Sequence, residues 1–283
     1  NHNKKTVIMT SVSKNNYQNI WIITFCLVLC EWLTPYLKSY TYNLRELLSV
    51  YFIALLVANL LVISPILIGN ALLKDNKSYW QRFQIKGNVL VGLIVGILTF
   101  TAIYLFLKIV FPIGYYEELF DRFLEMFVID NTIELFINSF FKSCLLIFFF
   151  GRIKQYTQWE IWRITLLYTG IYIAAQWLNF PEYGFSEPFS RLFSNYQNYL
   201  IVFVYNGILI FLYFWIYKEW KYNFWVIVFV NILMIAFDRY ILWRGEIPNY
   251  KSLIINALPI ALATIITAGY KAFYLFIPIK KRP

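Results

Sequence analysis

Glu117, Glu118 and Arg122 stand together in the stretch Pro112-Ile-Gly-Tyr-Tyr-Glu-Glu-Leu-Phe-Asp-Arg122-Phe-Leu, between long apolar runs of a chain in which only 14% of residues are charged. Charge at membrane depth is costly, so ionisable groups that persist there usually pair, line a wet cavity or do chemistry. On a helix Glu118 and Arg122 are spaced for an i,i+4 pair, and Glu117, Asp121 and Glu125 repeat every four residues. Leu119, Phe120, Phe123 and Leu124 then form an apolar face, so the segment also reads as an amphipathic helix lying in a membrane interface.

Other polar residues lie inside the apolar runs and align at helical spacing. Glu134, Asn138 and Lys142 share one face, as do Thr165, Thr169, Tyr172 and Gln176; Asn231 and Asp238 are seven apart, and Thr264, Thr267 and Lys271 align. Lipid satisfies none of these groups, which leads to the expectation of an interior polar seam or water-filled cavity, joined by Glu31 and Lys108. The competing expectation is plainer. Thr, Asn and Gln act as modest interhelical glue, and Lys108 and Lys271 snorkel to an interface.

The elements that would position these residues are apolar segments at about 20–38, 47–73, 88–113, 132–151, 161–180, 198–217, 223–243 and 253–278. Each can cross a hydrocarbon core of roughly 30 Å at about 1.5 Å per residue. With a 60% hydrophobic content in continuous rather than alternating runs, the chain reads as all-α, a polytopic transmembrane helical bundle of about eight spans rather than a β-barrel. The connections leave no room for a soluble domain and no repeat is evident, so residues 1–283 read as a single integral membrane domain, with a polar N-terminal arm (1–19) and a basic tail (279–283). Pro65 and Pro259 fall inside spans and are expected to kink them. A second amphipathic stripe, Phe185, Phe189, Leu192, Phe193 and Tyr196, reads as a short interfacial helix.

Basic residues cluster in the arm (Lys4, Lys5, Lys14), the second connection (Lys74, Lys77, Arg82, Lys86), the fourth (Arg152, Lys154), the sixth (Lys218, Lys221) and the tail. The positive-inside rule then places both termini in the cytoplasm, of a bacterial cytoplasmic membrane or an organelle inner membrane. The net charge of +10 is explained by the lipid bilayer as partner, without nucleic acid. The first apolar run is long and lacks a small-residue cleavage site, so it reads as a signal anchor.

Cys26, Cys30 and Cys144 sit at apolar positions and read as small buried hydrophobes, and His2 in the arm is the single histidine. That excludes multi-histidine metal sites within the spans. No nucleotide loop, metal-ligand cluster, flavin motif or Ser-His arrangement occurs, so no cofactor is implied.

Glu117-Glu118-x-x-x-Arg122, preceded by Pro112-Ile113 and followed by Phe123-Leu124, resembles the first motif of the CAAX-processing and bacteriocin-immunity (CPBP, or Abi) intramembrane glutamate proteases. That resemblance implies a multi-span bundle, commonly of eight helices, in which paired glutamates activate a water against a peptide bond. The family's second motif, an aromatic residue, three others and a histidine, is matched in shape by Tyr172-Ile-Ala-Ala-Gln176, and its third, a histidine late in an apolar helix, falls at Asn231. Both histidines are absent. Gln and Asn donate a hydrogen bond but cannot carry a proton, so the resemblance implies a divergent, inactive homologue with Glu117, Glu118, Arg122, Gln176 and Asn231 in the catalytic places. The run Ala58-Asn59 to Ser64-Pro65, followed by Lys74 to Trp80, loosely resembles the membrane input region of some bacterial sensors. The residues themselves favour a non-enzymatic accessory, sensor or small-substrate binding or transport subunit, working beside other membrane protein subunits.

Overall fold

The computed structural model describes residues 3–42, 48–74, 77–110, 129–178, 196–242 and 257–276. Among them all regular structure is helical: α1 (Asn3–Tyr42), α2 (Leu48–Leu72), α3 (Tyr79–Phe83), α4 (Val89–Val110), α5 (Ile129–Thr157), α6 (Ile161–Leu178), α7 (Tyr196–Glu219), α8 (Phe224–Leu242) and α9 (Leu258–Phe276). Each of the apolar segments read from the sequence falls on one of these helices, and the protein is all-α. By length and composition Asn16–Thr34, Val50–Leu72, Val89–Val110 and Thr132–Thr157 are each able to cross a membrane, and Ile161–Ala175, Phe224–Phe237 and Leu258–Phe273 are shorter apolar helical stretches.

Helix α1 is continuous from Asn3, so the polar arm is helical over most of its length. Its 40 residues extend about 60 Å, roughly twice a hydrocarbon core. The short helix α3 is announced locally. Ser78 caps it, with Gln81 N donating to Ser78 Oγ at 3.4 Å and Ser78 N donating to Gln81 Oε1 at 3.0 Å, a reciprocal box that satisfies two otherwise orphaned donors. Helix α2 passes through Pro65 as one element. Proline cannot donate to the carbonyl four residues back, and there the Ser64 hydroxyl donates to Leu61 O at 2.7 Å in its place. Pro259 is the second residue of α9 rather than an interior one, a first-turn position at which the missing N–H costs nothing.

Two compact units build the chain, each from two stretches: unit 1 from Asn1–Gln84 and Cys144–Ile210, unit 2 from Ile85–Ser143 and Phe211–Pro283. In unit 1, α1 packs on α2 and α6, and α3 lies against α2. In unit 2, α4 packs on α8 and α9, which also touch each other. The approach of α4 to α8 is close because Gly92 and Gly96 present no side chain. A Cβ at Gly92 would meet the Trp225 carbonyl carbon at 2.7 Å, and one at Gly96 the Phe229 Cβ at 3.0 Å. Ile103, Leu107, Leu135, Leu233, Ala236 and Phe237 extend that contact as an apolar cluster.

Candidate functional site

Unit 1 holds a carboxylate inside an apolar helix. Glu31 lies in α1 within the apolar window Asn16–Thr34, 6% exposed. The Tyr168 hydroxyl, from α6, donates to Glu31 Oε1 at 2.7 Å. Tyr168 is itself buried and packs edge-on against Phe149, with ring centroids 5.2 Å apart. The phenol is therefore held by packing, and the carboxylate by the phenol, across two helices whose sequence separation is 137. Along the same face of α6, Thr165 donates to Ile161 O at 2.9 Å, while the Thr169 hydroxyl is buried without a hydrogen-bond partner among the described residues. A buried acid accepting a hydrogen bond can bind a proton, a small cation or a hydrogen-bond donor, and the cost of burying it in an apolar helix argues that it does something.

At one end of unit 1 a second polar group ties helix ends together. Asn19 donates through Nδ2 to Lys74 O at 3.1 Å and accepts from Lys74 N at 3.0 Å. Arg152, fully buried, donates to Gln155 Oε1 at 2.7 Å and to Gln81 O at 3.1 Å, Arg82 donates to Asn70 O, and Lys77 Nζ donates to Gln155 Oε1 at 2.8 Å. Guanidinium groups suit this task, since their planar fork reaches several carbonyls at once. The arm, the second connection and the fourth connection, each basic in sequence, thus meet at the same end of the unit.

Unit 2 also buries a carboxylate in an apolar helix, Glu134 at 5% exposed, beside neutral polar contacts. Asn231 donates to Ser143 Oγ at 2.8 Å, with both residues fully buried. Asn231 Oδ1 and the hydroxyl of Ser139, one turn from Ser143, are buried without hydrogen-bond partners among the described residues. Glu134 is buried, Asn138 half-buried and Lys142 exposed, so the face of α5 that is fully buried carries Ser139 and Ser143 instead. Thr264 donates to Ile260 O and Thr267 to Ala263 O, both at 2.7 Å, and Thr267 also accepts from Trp220 Nε1 at 2.9 Å. Lys271 pairs with Glu219 at 3.0 Å, and Lys108 is exposed in the last turn of α4, where a cation suits the helix dipole.

No family model, curated protein or solved structure matches this chain. The reading of the site therefore rests on its own geometry. Glu117, Glu118 and Arg122 lie outside the described residues, as do the side chains of Gln176 and Asp238 and both amphipathic interfacial segments. Among the described residues no group of three or more His, Cys, Asp or Glu could hold a metal ion. Among the polar residues singled out in sequence, Glu31, Asn231, Thr267 and Lys271 each have a cross-helix partner. Tyr168, Ser139, Ser143, Asn19 and Asn70 were not among them. Ser139 and Ser143, spaced i,i+4 in an apolar run, carried a signal of the same kind as the larger polar residues beside them.

Proposed function

We propose that this chain is a multi-pass integral membrane protein, with both termini on the cytoplasmic side, that works as a non-enzymatic subunit binding a small cationic or hydrogen-bond-donating solute. The observation that carries the reading is the Glu31 carboxylate, buried within an apolar helix and held at 2.7 Å by the Tyr168 hydroxyl. An ionisable residue at that depth is a functional site by default, because a structural role is filled more cheaply by an apolar side chain. The meeting of the basic arm, second connection and fourth connection at one end of unit 1 supports the orientation, since lysine and arginine collect on the cytoplasmic side. Of the positions that carry the glutamate-protease resemblance, Asn231 lies among the described residues, where its amide donates to Ser143 in a helix-to-helix contact.

The test is ligand-dependent stabilisation of the purified chain. Lithium, sodium, potassium and small protonated amines are each titrated against wild type and Glu31→Gln, with the midpoint of thermal unfolding as readout. The reading expects at least one probe to raise the midpoint of wild type, as any ligand of the native state must, and to lose that effect in Glu31→Gln. Probes that leave wild type unmoved, or that stabilise Glu31→Gln equally, would reject it.

A further inference from the structure

The α7–α8 turn collects positive charge from two separate connections. Lys218 lies at the end of α7 and Lys221 in the turn itself, which is closed by Lys221 N donating to Lys218 O at 3.1 Å, Tyr222 N to Tyr217 O at 2.8 Å and Asn223 N to Trp220 O at 3.1 Å. Lys86 comes from the connection before α4. It is fixed beside the turn because Phe224 N donates to Lys86 O at 2.8 Å and Asn223 Nδ2 donates to Asn88 O at 3.1 Å. Gly87 makes this approach possible: its φ is +108°, and its Cα hydrogens face the Asn223 side chain where any Cβ would collide. Lys86, Lys218 and Lys221 are all exposed. Glu219, the acidic residue of the turn, is already paired with Lys271.

The aromatic residues around these lysines fix the depth at which they lie. Trp220 stacks on Tyr270 with ring centroids 4.3 Å apart and 22° between planes, while its Nε1 donates to Thr267; Tyr222, partly exposed, lies edge-on to Tyr217. Trp and Tyr with one apolar and one wet side are the residues that settle at headgroup level. Immediately beyond the turn, α8 is apolar and buried from Phe224 through Phe237 apart from Asn231 and a few half-buried positions. On the multi-pass reading proposed above, the three lysines stand where the hydrocarbon ends.

We propose that this end of unit 2 is a docking surface for acidic phospholipid headgroups, with Lys86, Lys218 and Lys221 as the three cations that hold them. The surface goes beyond the solute site of unit 1 and does not depend on it. A rigid turn presents the three cations, so little conformational freedom is lost on engaging a lipid phosphate. A bilayer-held phosphodiester fits better than free phosphate because the exposed apolar side chains of Ile85, Val89 and Leu90, next to Lys86, offer a surface to the acyl chains.

The experiment uses the full chain in detergent, loaded with an equal mixture of phosphatidylglycerol and phosphatidylcholine, and weighs the lipids retained on it by native mass spectrometry. Wild type is expected to retain phosphatidylglycerol preferentially, and Lys86→Gln/Lys218→Gln/Lys221→Gln to lose that preference, by roughly fivefold for each lysine at low salt. The corresponding triple arginine variant should keep it. If the glutamine variant does not fold, salt decides on wild type alone: near 1 M, with a Debye length of about 3 Å, the preference should collapse. Equal retention of the two lipids by wild type would overturn the proposal. So would a preference untouched by both the glutamine substitutions and salt, or one abolished by millimolar inorganic phosphate, which would make free phosphate the ligand.

Discussion

The two units hold their helices together by different means. Unit 1 buries Glu31, Arg82 and Arg152 and connects helices through charge-assisted hydrogen bonds, Tyr168 to Glu31 and Arg152 to Gln81. Unit 2 relies on close approach, with Gly92 and Gly96 against α8, an apolar cluster around Ile103 and Phe237, and Phe140 set edge-on against Phe224 with centroids 5.5 Å apart. A cross-helix hydrogen bond in its interior, Asn231 to Ser143, is neutral. Buried charge is an expensive way to join helices, whereas small residues and rings achieve it through van der Waals contact alone. The contrast teaches that unit 1 joins its helices through charged groups and unit 2 chiefly through close packing, although unit 2 too buries a carboxylate, Glu134.

A glycine exchange strikes hardest at this difference. Gly92→Ala places a methyl 2.7 Å from the Trp225 backbone, which cannot rotate away. Helices α4 and α8 must separate, at a cost of about 3 kcal/mol. Gly170→Ala in α6 of unit 1 meets nothing within 4 Å, and should be neutral or stabilise by up to about 1 kcal/mol through helix propensity. Reversible unfolding of the purified chain from mild detergent into dodecyl sulfate reads both. If the two substitutions cost the same, the packing of α4 on α8 is not what holds unit 2 together.

Paired substitutions sharpen the comparison at the next scale. A double-mutant cycle on Glu31→Gln and Tyr168→Phe should give a coupling of about 1.5 kcal/mol, near the top of the range for hydrogen bonds between membrane helices because the acceptor is a carboxylate. The cycle on Ser143→Ala and Asn231→Ala should give about 0.6 kcal/mol, the average for such bonds. Equal couplings would remove the energetic distinction between the charged pair and the neutral one.

The apolar segments could be read because a long run of Leu, Ile, Val and Phe has one stable fate, so all eight reappear as helices. Which face of each helix turns inward could not be read, since helices apolar all round have no contrast between faces. On α5 Glu134, Asn138 and Lys142 are the conspicuous polar stripe, yet Lys142 is exposed while the smaller Ser139 and Ser143 beside it are fully buried. A serine fits against a neighbouring helix where a lysine does not. The pair Gly92-x-x-x-Gly96 was a legible signal of close packing that composition alone hid. Helix α3, at five residues, was too short for periodicity, although Ser78-x-x-Gln81 marks its start. Tyr168 as the partner of Glu31 was beyond reach, because 137 residues separate them and only the packing of α1 on α6 brings them together.

The smallest effect belongs to the most conspicuous ion pair of unit 2. Lys271 and Glu219 meet at 3.0 Å, but the lysine side chain is 52% exposed and the glutamate 15%. Water and salt screen such a pair, and holding two long side chains in register costs entropy, so exposed pairs contribute little. Lys271→Gln should therefore shift stability by no more than about 0.5 kcal/mol in the same unfolding assay, with the Trp220 hydrogen bond to Thr267 and its stack on Tyr270 left to hold α9 in place. The shift should also shrink as salt is raised. A loss of more than about 2 kcal/mol, insensitive to salt, would mean that Lys271 is desolvated in the bilayer; a charged pair would then join helices of unit 2 as charged groups do in unit 1, and the contrast between them would fail.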